Sequence, residues 1–235
     1  MKNNTKPYEQ KTGEQPKNQV PFAVIEAYKA IRTNLMFAMP NAACKMFEVS
    51  SPSAGEGKST CAVNLAVAYS QLGQRVLLLD ADLRKPSIHR KLHLNNAKGL
   101  SSILVGFCPV EEAITHINPN FDVIVSGPLP PNPAELLSSD SMGDLLDRMR
   151  GTYDCVIIDT PPLNVVSDAL ALSPKTEGIV MILQNNRTTH DQYQKAAAGL
   201  EFAGAKLLGV VINDSDEKSA RYKYSGKKYK YGYRY

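Results

Sequence analysis

Residues 45–60 read KMFEVSSPSAGEGKST, an apolar strand pattern that runs into a glycine-rich turn. Gly55 and Gly57 would let the backbone approach a phosphate group closely, and a helix beginning near Ser59 would present free N–H groups there. Lys58 would reach the β- and γ-phosphates of a nucleotide, and the Ser59 hydroxyl would bind Mg²⁺. The stretch therefore predicts a phosphate-binding loop between a strand and a helix.

The loop is a variant of the usual GxxxxGK[ST] pattern, because Pro52 stands where that pattern has its first glycine. The alternative is a glycine-rich turn that only joins a strand to a helix. The Lys-Ser pair at its end and the apolar strands on either side favour phosphate binding. The residues expected to contact the nucleotide here are Ala54, Gly55, Glu56, Gly57, Lys58, Ser59 and Thr60.

Further apolar stretches outside the loop have the length and composition of buried strands. They are RVLLLD (75–80), FDVIVSG (121–127), YDCVIID (153–159), EGIVMIL (177–183) and KLLGVVIN (206–213). Helical patterns precede or separate the strands, at residues 22–39, 59–72, 134–149 and 188–204. This alternation predicts an α/β fold with a doubly wound, mostly parallel sheet flanked by helices. Right-handed crossovers would bring the carboxyl ends of the strands to one edge.

Acidic residues stand at the carboxyl ends of two predicted strands. Asp80 and Asp82 lie in LLLDADLR, and Asp159 ends VIID. One such Asp is commonly a turn or helix-cap residue. Three of them beside a phosphate loop suit Mg²⁺ and its waters, so we expect them to face the loop. Arg84 is open to two interpretations, a phosphate contact or an ordinary carboxylate partner.

The last fifteen residues, RYKYSGKKYKYGYRY (221–235), combine six tyrosines with six basic side chains and no acid. Subtracting this +6 from the net charge of +4 leaves −2 for the rest, so no nucleic-acid partner is expected for the body of the protein. The self-repelling cluster predicts a flexible tail, residues 216–235, whose phenol groups are displayed. Its tyrosines are Tyr222, Tyr224, Tyr229, Tyr231, Tyr233 and Tyr235.

The remainder is predicted to be one domain, residues 21–215, after a polar disordered segment at residues 1–20. No apolar run is long enough for a membrane span, and the first residues lack the apolar stretch of a signal peptide. The cysteines show no CxxC or metal-ligand spacing, which favours buried reduced thiols and a cytoplasmic location. They are Cys44, Cys61, Cys108 and Cys155.

Together these segments resemble the bacterial tyrosine kinases linked to export of capsular and extracellular polysaccharide. The resemblance runs from about Glu26 to the final tyrosine. SPSAGEGKST is similar to the family's Walker A loop, LLLDADLR to its Walker A′ motif and VIIDTPP to its Walker B motif. PNPAELL (131–137) and the tyrosine-rich tail are further hallmarks. The resemblance implies a P-loop NTPase fold of the MinD/ParA type.

The resemblance also implies roles for individual residues. Lys58 and Ser59 would hold ATP and Mg²⁺, with Asp82 and Asp159 binding the ion directly or through water. Asp80 would orient or deprotonate the attacking phenol, which is scarcely ionised at neutral pH. Asp80 and Asp82 are two residues apart, and the sequence leaves open which has which role. Asn213 would contact the adenine, a strand-ending turn residue being the alternative.

Self-assembly is a second implication. The family's N-terminal helix carries an ExxRxxR pattern that mediates ring-like assembly, and here Glu26 and Arg32 match while Lys29 replaces the first arginine. Lys29 keeps the charge without the bidentate fork, and a solvent-facing charged helix is the alternative. The resemblance further implies a separate membrane protein as activator, which would recruit the kinase to the inner face of the membrane. It also allows for other protein substrates.

The favoured function is an ATP-dependent protein-tyrosine kinase that phosphorylates its own tail, between subunits, and regulates polysaccharide synthesis and export. The alternative is a MinD/ParA-type positioning ATPase whose basic tail binds DNA or a membrane. That class usually has a signature lysine early in the loop, where this chain has Ser53 followed by Ala54. The missing lysine and the PNPAELL segment favour the kinase. A non-enzymatic scaffold would not explain Asp80 and Asp82 beside a complete loop.

Overall fold

A sheet of seven strands runs through residues 21–214, the part of the chain that this computed structural model describes. The strands are β1 (Lys45–Ser50), β2 (Val76–Asp80), β3 (Ile114–Asn118), β4 (Phe121–Ile124), β5 (Cys155–Asp159), β6 (Ile179–Gln184) and β7 (Leu207–Asn213). The α-helices of the same residues are α1 (Phe22–Ala38), α2 (Lys58–Ser70), α3 (Ile88–Lys91), α4 (Leu100–Leu104), α5 (Val110–Ala113), α6 (Pro133–Ser138), α7 (Asp140–Thr152), α8 (Asp168–Leu172) and α9 (His190–Phe202). A 3₁₀ turn, Ser173–Lys175, follows α8.

The strand order is β3-β4-β2-β5-β1-β6-β7, and every neighbouring pair except β3–β4 is parallel. The predicted doubly wound, mostly parallel α/β fold is therefore confirmed. β5 lies between β1 and β2, and its register places Asp159 opposite Asp80 on one side and Val49 on the other. The carboxyl ends of β1, β2 and β5 consequently meet at one edge, as the sequence predicted.

Side chains alternate along each strand, so each face of the sheet presents apolar side chains. Helices cover both faces. Phe47 of β1 packs in a core with residues of α1 and α2, whereas its neighbour Met46 packs in a second core with residues of α4 and α7. A smaller cluster joins α9 to β6. The four cysteines are free and buried, as predicted. The central strands are thus fixed on both sides, which holds their carboxyl ends in place.

Several features differ from the sequence interpretation, and they include the short helices α3, α4, α5 and α8, which were not predicted. The helical pattern at residues 134–149 forms two helices, because Ser139 leaves the helix and its hydroxyl accepts a hydrogen bond from Met142 N at the start of α7. β3, the antiparallel edge strand, was not predicted. Within residues 21–214 no helix has both the length and the apolar character needed to cross a membrane. The predictions for residues 1–20 and 216–235 lie outside the described residues.

Candidate active site

The predicted phosphate-binding loop connects β1 to α2 in a backbone conformation that requires glycine. Gly55 has φ +81° and Gly57, directly before α2, has φ +95°, values that favour glycine. A Cβ on Gly57 would also lie 2.2 Å from Nδ2 of Asn213. That Asn213 amide donates a hydrogen bond to the Glu56 carbonyl oxygen at 3.1 Å. The end of β7 therefore packs against the phosphate loop and forms a hydrogen bond with it.

Lys58 is held between two carboxylates. Its Nζ lies 2.9 Å from Oδ2 of Asp82 and 3.4 Å from Oδ1 of Asp159. All three side chains are buried. Burial by itself would lower the pKa of Lys58, but the carboxylates of Asp159 and Asp82 outweigh it and raise that pKa. The loop thus ends at a buried positive charge, at the first residue of α2.

Asp159 is fully buried, and burial raises its pKa against the opposing effect of the Lys58 charge. Its Oδ2 atom has no hydrogen-bond partner among residues 21–214. An unpartnered carboxylate oxygen inside a protein is costly and calls for an explanation. An oxygen of this kind, beside a phosphate loop, suits a cation.

Asp80 occupies a different environment from Asp82. Its side chain is fully buried and accepts hydrogen bonds from the backbone N–H groups of Asp82, Ser87 and Ile88. Burial and the neighbouring Asp159 carboxylate raise the pKa of Asp80 to about 8. Both oxygens of Asp80 therefore hold the backbone that follows β2.

A cavity of about 450 Å³ opens beside the loop. Asp82 lines it, together with Lys58 and Ser59, whereas Asp80 does not. The wall also includes the side chains of Lys85 and Lys91 and an apolar patch, Pro161, Pro162, Val165 and Val166. The lining therefore combines cationic residues with an apolar patch, which suits a ligand that has both an anionic group and an apolar ring.

Arg84 also lines the cavity, and the structure decides between its two interpretations. Its Nε and Nη2 atoms donate to the two oxygens of Asp168 at 2.8 and 3.0 Å, a bidentate ion pair. Arg84 thus has an ordinary carboxylate partner in this structure. Sequence reasoning missed Asp168, Lys85 and Lys91, because no motif spacing connects them to the loop.

The residues predicted for self-assembly lie on α1. Lys29 and Glu26 form an exposed ion pair at 2.8 Å. Arg32, in contrast, donates to the backbone carbonyl of Ala68 near the end of α2. Glu26 and Lys29 are therefore available at the surface, while Arg32 is engaged within its own chain. The six predicted acceptor tyrosines lie outside the described residues.

Comparison with known proteins adds to this geometry. Residues 44–194 match a family model described as an AAA domain. The tyrosine-protein kinase YwqD of Bacillus subtilis is 43% identical over 205 residues, which cover 86% of each chain. The kinase domain of the Escherichia coli tyrosine kinase ETK superposes with a TM-score of 0.79 at 32% identity, covering 94% of this chain and 88% of that one.

The septum site-determining protein MinD of Pyrococcus horikoshii, solved with Mg-ADP, shares the fold at a TM-score of 0.61. It is 22% identical over 76% of each chain, so this likeness concerns the fold alone. The higher identity and near-complete coverage lie with the kinases. The chain belongs to the family of bacterial tyrosine-protein kinases, built on a P-loop fold of the MinD type.

Proposed function

We propose that this protein transfers the γ-phosphoryl group of ATP to tyrosines of its own C-terminal tail, between subunits. The observation that carries the proposal is the buried Lys58 ammonium, which Asp82 and Asp159 hold at a phosphate loop beside an open cavity. Ala54 to Thr60 would bind the phosphates, and Asn213 would lie toward the adenine. Phosphoryl transfer depends mainly on positioning and on charge neutralisation, which Lys58 and the loop amides can supply.

The residues present fit a Mg²⁺ ion that arrives with the nucleotide. Ser59, Asp82 and Asp159 would hold it, and the unpartnered Oδ2 of Asp159 supports this assignment. The ion would neutralise charge on the phosphate oxygens. Within residues 21–214 no three His, Cys, Asp or Glu side chains form a metal site by themselves. Phosphate oxygens and water would therefore complete the ligand shell, as is usual for Mg²⁺.

The acceptor phenol needs a carboxylate to orient it, since its pKa is about 10 and little of it is ionised near neutral pH. Asp82 lines the cavity and is the carboxylate that a phenol there would meet first. Asp80 lies behind it and holds the Asp82 backbone N–H. We therefore propose that Asp82, rather than Asp80, orients the phenol and also holds Mg²⁺. Asp80 would act indirectly, by holding the backbone that follows β2.

Phosphorylation would reverse the charge of the tail. Each phosphotyrosine adds about −1.5 to −2, so six of them would change the tail from +6 to roughly −3 to −6. A tail bound in a neighbouring active site would then be repelled by the acids and phosphates already there. This charge reversal provides a cycle in which subunits assemble before phosphorylation and separate after it.

Self-assembly is proposed to use the exposed ion pair on α1. Lys29→Arg would restore the bidentate fork of the family pattern, and Lys29→Glu would place two like charges three residues apart. Light scattering at matched concentrations should show stronger self-association for the arginine variant and weaker self-association for the glutamate variant. Equal oligomer distributions for both variants would remove α1 from the assembly surface.

The resemblance supports three further parts of the proposal. A separate membrane protein would activate the kinase and recruit it to the inner face of the membrane. The activity would regulate synthesis and export of capsular or extracellular polysaccharide. Proteins other than the tail would be additional substrates. The positioning ATPase is the second candidate, but nothing beyond the shared fold favours it.

Deletion of residues 221–235 tests the proposed acceptor site. We expect self-labelling with radioactive ATP to be abolished and ATP binding to be retained, because the phosphate loop lies in the body and the phenols in the tail. Phosphotyrosine on the full chain is measured after incubation with MgATP, beside nucleotide affinity of the truncated chain. Undiminished labelling after truncation would show that the acceptor lies elsewhere.

Mixing two variants distinguishes phosphoryl transfer between subunits from phosphoryl transfer within one subunit. Truncated enzyme without the tail is mixed with full-length Lys58→Met, which has a tail but is expected to lack activity. Phosphotyrosine on the full-length variant would then require a neighbour's active site. If neither chain is labelled although the wild type is, transfer takes place within one subunit.

A further inference from the structure

A loop after β6 holds the phosphate loop from outside the cavity. Arg187 donates from Nη1 to the Gly55 carbonyl at 3.0 Å and from Nη2 to the Ala54 carbonyl at 3.2 Å. Its Nη1 also donates to the side-chain oxygen of Gln184 at 3.0 Å, which fixes the guanidinium in place. A Cβ on Gly55 would lie 3.1 Å from Nη1, so the guanidinium packs directly against this glycine.

The neighbouring Thr188 holds the phosphate loop at a second point. Its hydroxyl donates to Oε1 of Glu56 at 2.6 Å and accepts from Gln184 N at 2.8 Å. The other Glu56 oxygen accepts from Ser53 N at 2.8 Å, and the Glu56 side chain is almost completely buried. The buried Glu56 side chain therefore links the start of the phosphate loop to the loop after β6 through hydrogen bonds.

These contacts determine the direction of two peptide groups. A trans peptide bond points its N–H away from its C=O. Because the carbonyls of Ala54 and Gly55 face Arg187, the N–H groups of Gly55 and Glu56 point to the opposite side. Neither N–H donates to a protein acceptor in the part of the chain that the structure describes. Ala54 and Gly55 line the cavity, so a phosphate oxygen is the natural acceptor for these donors.

We propose that Arg187 is a positioning residue for the nucleotide. Through the two carbonyls it orients the N–H groups of Gly55 and Glu56 toward the β- and γ-phosphates, and its positive charge polarises both peptide groups. Arg187 itself does not line the cavity, and it acts through the loop. The inference rests on the proposed function only in requiring that ATP binds at this loop.

Arg187→Gln tests the inference by removing the charge and the bridge between the two carbonyls. We expect the Kd for ATP and for ADP, measured by calorimetry with Mg²⁺, to rise about tenfold. The Kd for AMP should not change, because AMP lacks the phosphates that these N–H groups would bind. Arg187→Lys can reach one carbonyl only and should give an intermediate Kd. In kinetics, the loss should appear in KM for ATP more than in kcat.

Arg75→Gln is the matched control, since Arg75 is an exposed arginine paired with Asp154 and lies outside the site. Its nucleotide affinities should equal those of the wild type. An unchanged ATP affinity in Arg187→Gln would overturn the proposal, and so would an equal weakening of ATP and AMP. A lowered melting temperature in parallel with the affinity would show that Arg187 only supports the fold. Because binding is measured without phosphoryl transfer, absence of kinase activity in the wild type would refute the proposed function and leave this result interpretable.

Discussion

Lys58→Met is expected to abolish tyrosine phosphorylation, with a loss of at least about a hundredfold in the rate of self-labelling. Lys58 is the cation within 4 Å of both Asp82 and Asp159, and the salt bridges of residues 21–214 give these two acids no other partner. Its removal takes away the positive charge that neutralises the phosphates. It also leaves two buried carboxylates without a counter-charge, so ATP binding should weaken as well.

The same variant should acquire a marked pH dependence of stability. Without Lys58, the pKa of Asp159 should rise further above that of the unfolded chain, because the opposing effect of the Lys58 charge is lost. A carboxyl group whose pKa is raised by folding stabilises the fold fully only below its unfolded pKa, and this stability is lost as the pH rises through the folded pKa. The melting temperature of Lys58→Met should therefore fall further below that of the wild type at about pH 8 than at about pH 5.

Lys98→Met provides the control, because Lys98 is an exposed lysine paired with Glu112 outside the loop. It should keep wild-type labelling and wild-type stability at both pH values. Phosphotyrosine is quantified by labelled ATP, and unfolding by calorimetry. Wild-type labelling in Lys58→Met would contradict the kinase assignment of this site.

The parts of the site that the sequence predicted are those that follow from strand ends. β1, β2 and β5 are buried almost throughout, and parallel strands must end at one edge. This was sufficient to bring Asp80, Asp82 and Asp159 toward Lys58. It was not sufficient to tell which of Asp80 and Asp82 lines the cavity. That depends on which carboxylate accepts hydrogen bonds from the backbone N–H groups of Ser87 and Ile88, and in the structure it is Asp80.

The parts that the sequence did not predict depend on long-range pairing or on edges. Asp168 is 84 positions from Arg84, and no pattern connects them. Arg187 reaches the phosphate loop only because a turn containing Asn186, at φ +58°, places it there. β3 is an edge strand with exposed polar residues, so it lacks the apolar signal of the central strands. Such contacts arise from tertiary structure, and local propensity contains no information about them.

Asp159→Asn is expected to separate stability from activity. The carboxylate is fully buried, one of its oxygens has no partner among the described residues, and its charge helps raise the pKa of Asp80 to about 8. Asparagine keeps an oxygen for Lys58 and removes the negative charge that Asp159 carries at high pH, close to the carboxyl groups of Asp80 and Asp82. Without nucleotide, the melting temperature should rise by about 2–4 °C at about pH 8. Phosphorylation should fall at least about a hundredfold, because a carboxylate that would hold Mg²⁺ is lost.

The gain in stability should shrink as the pH falls. Folding raises the pKa of Asp159, so the cost of its charge in the wild type is present at high pH and disappears as the group takes up a proton. Melting curves at about pH 5 and about pH 8 measure this difference, and Asp154→Asn, at an exposed ion pair with Arg75, is the matched control. A more stable but inactive variant means that the buried charge is retained for catalysis at the expense of the fold. A variant that is both less stable and inactive would mean that Asp159 is first of all a structural partner of Lys58, and the metal assignment would lose its main support.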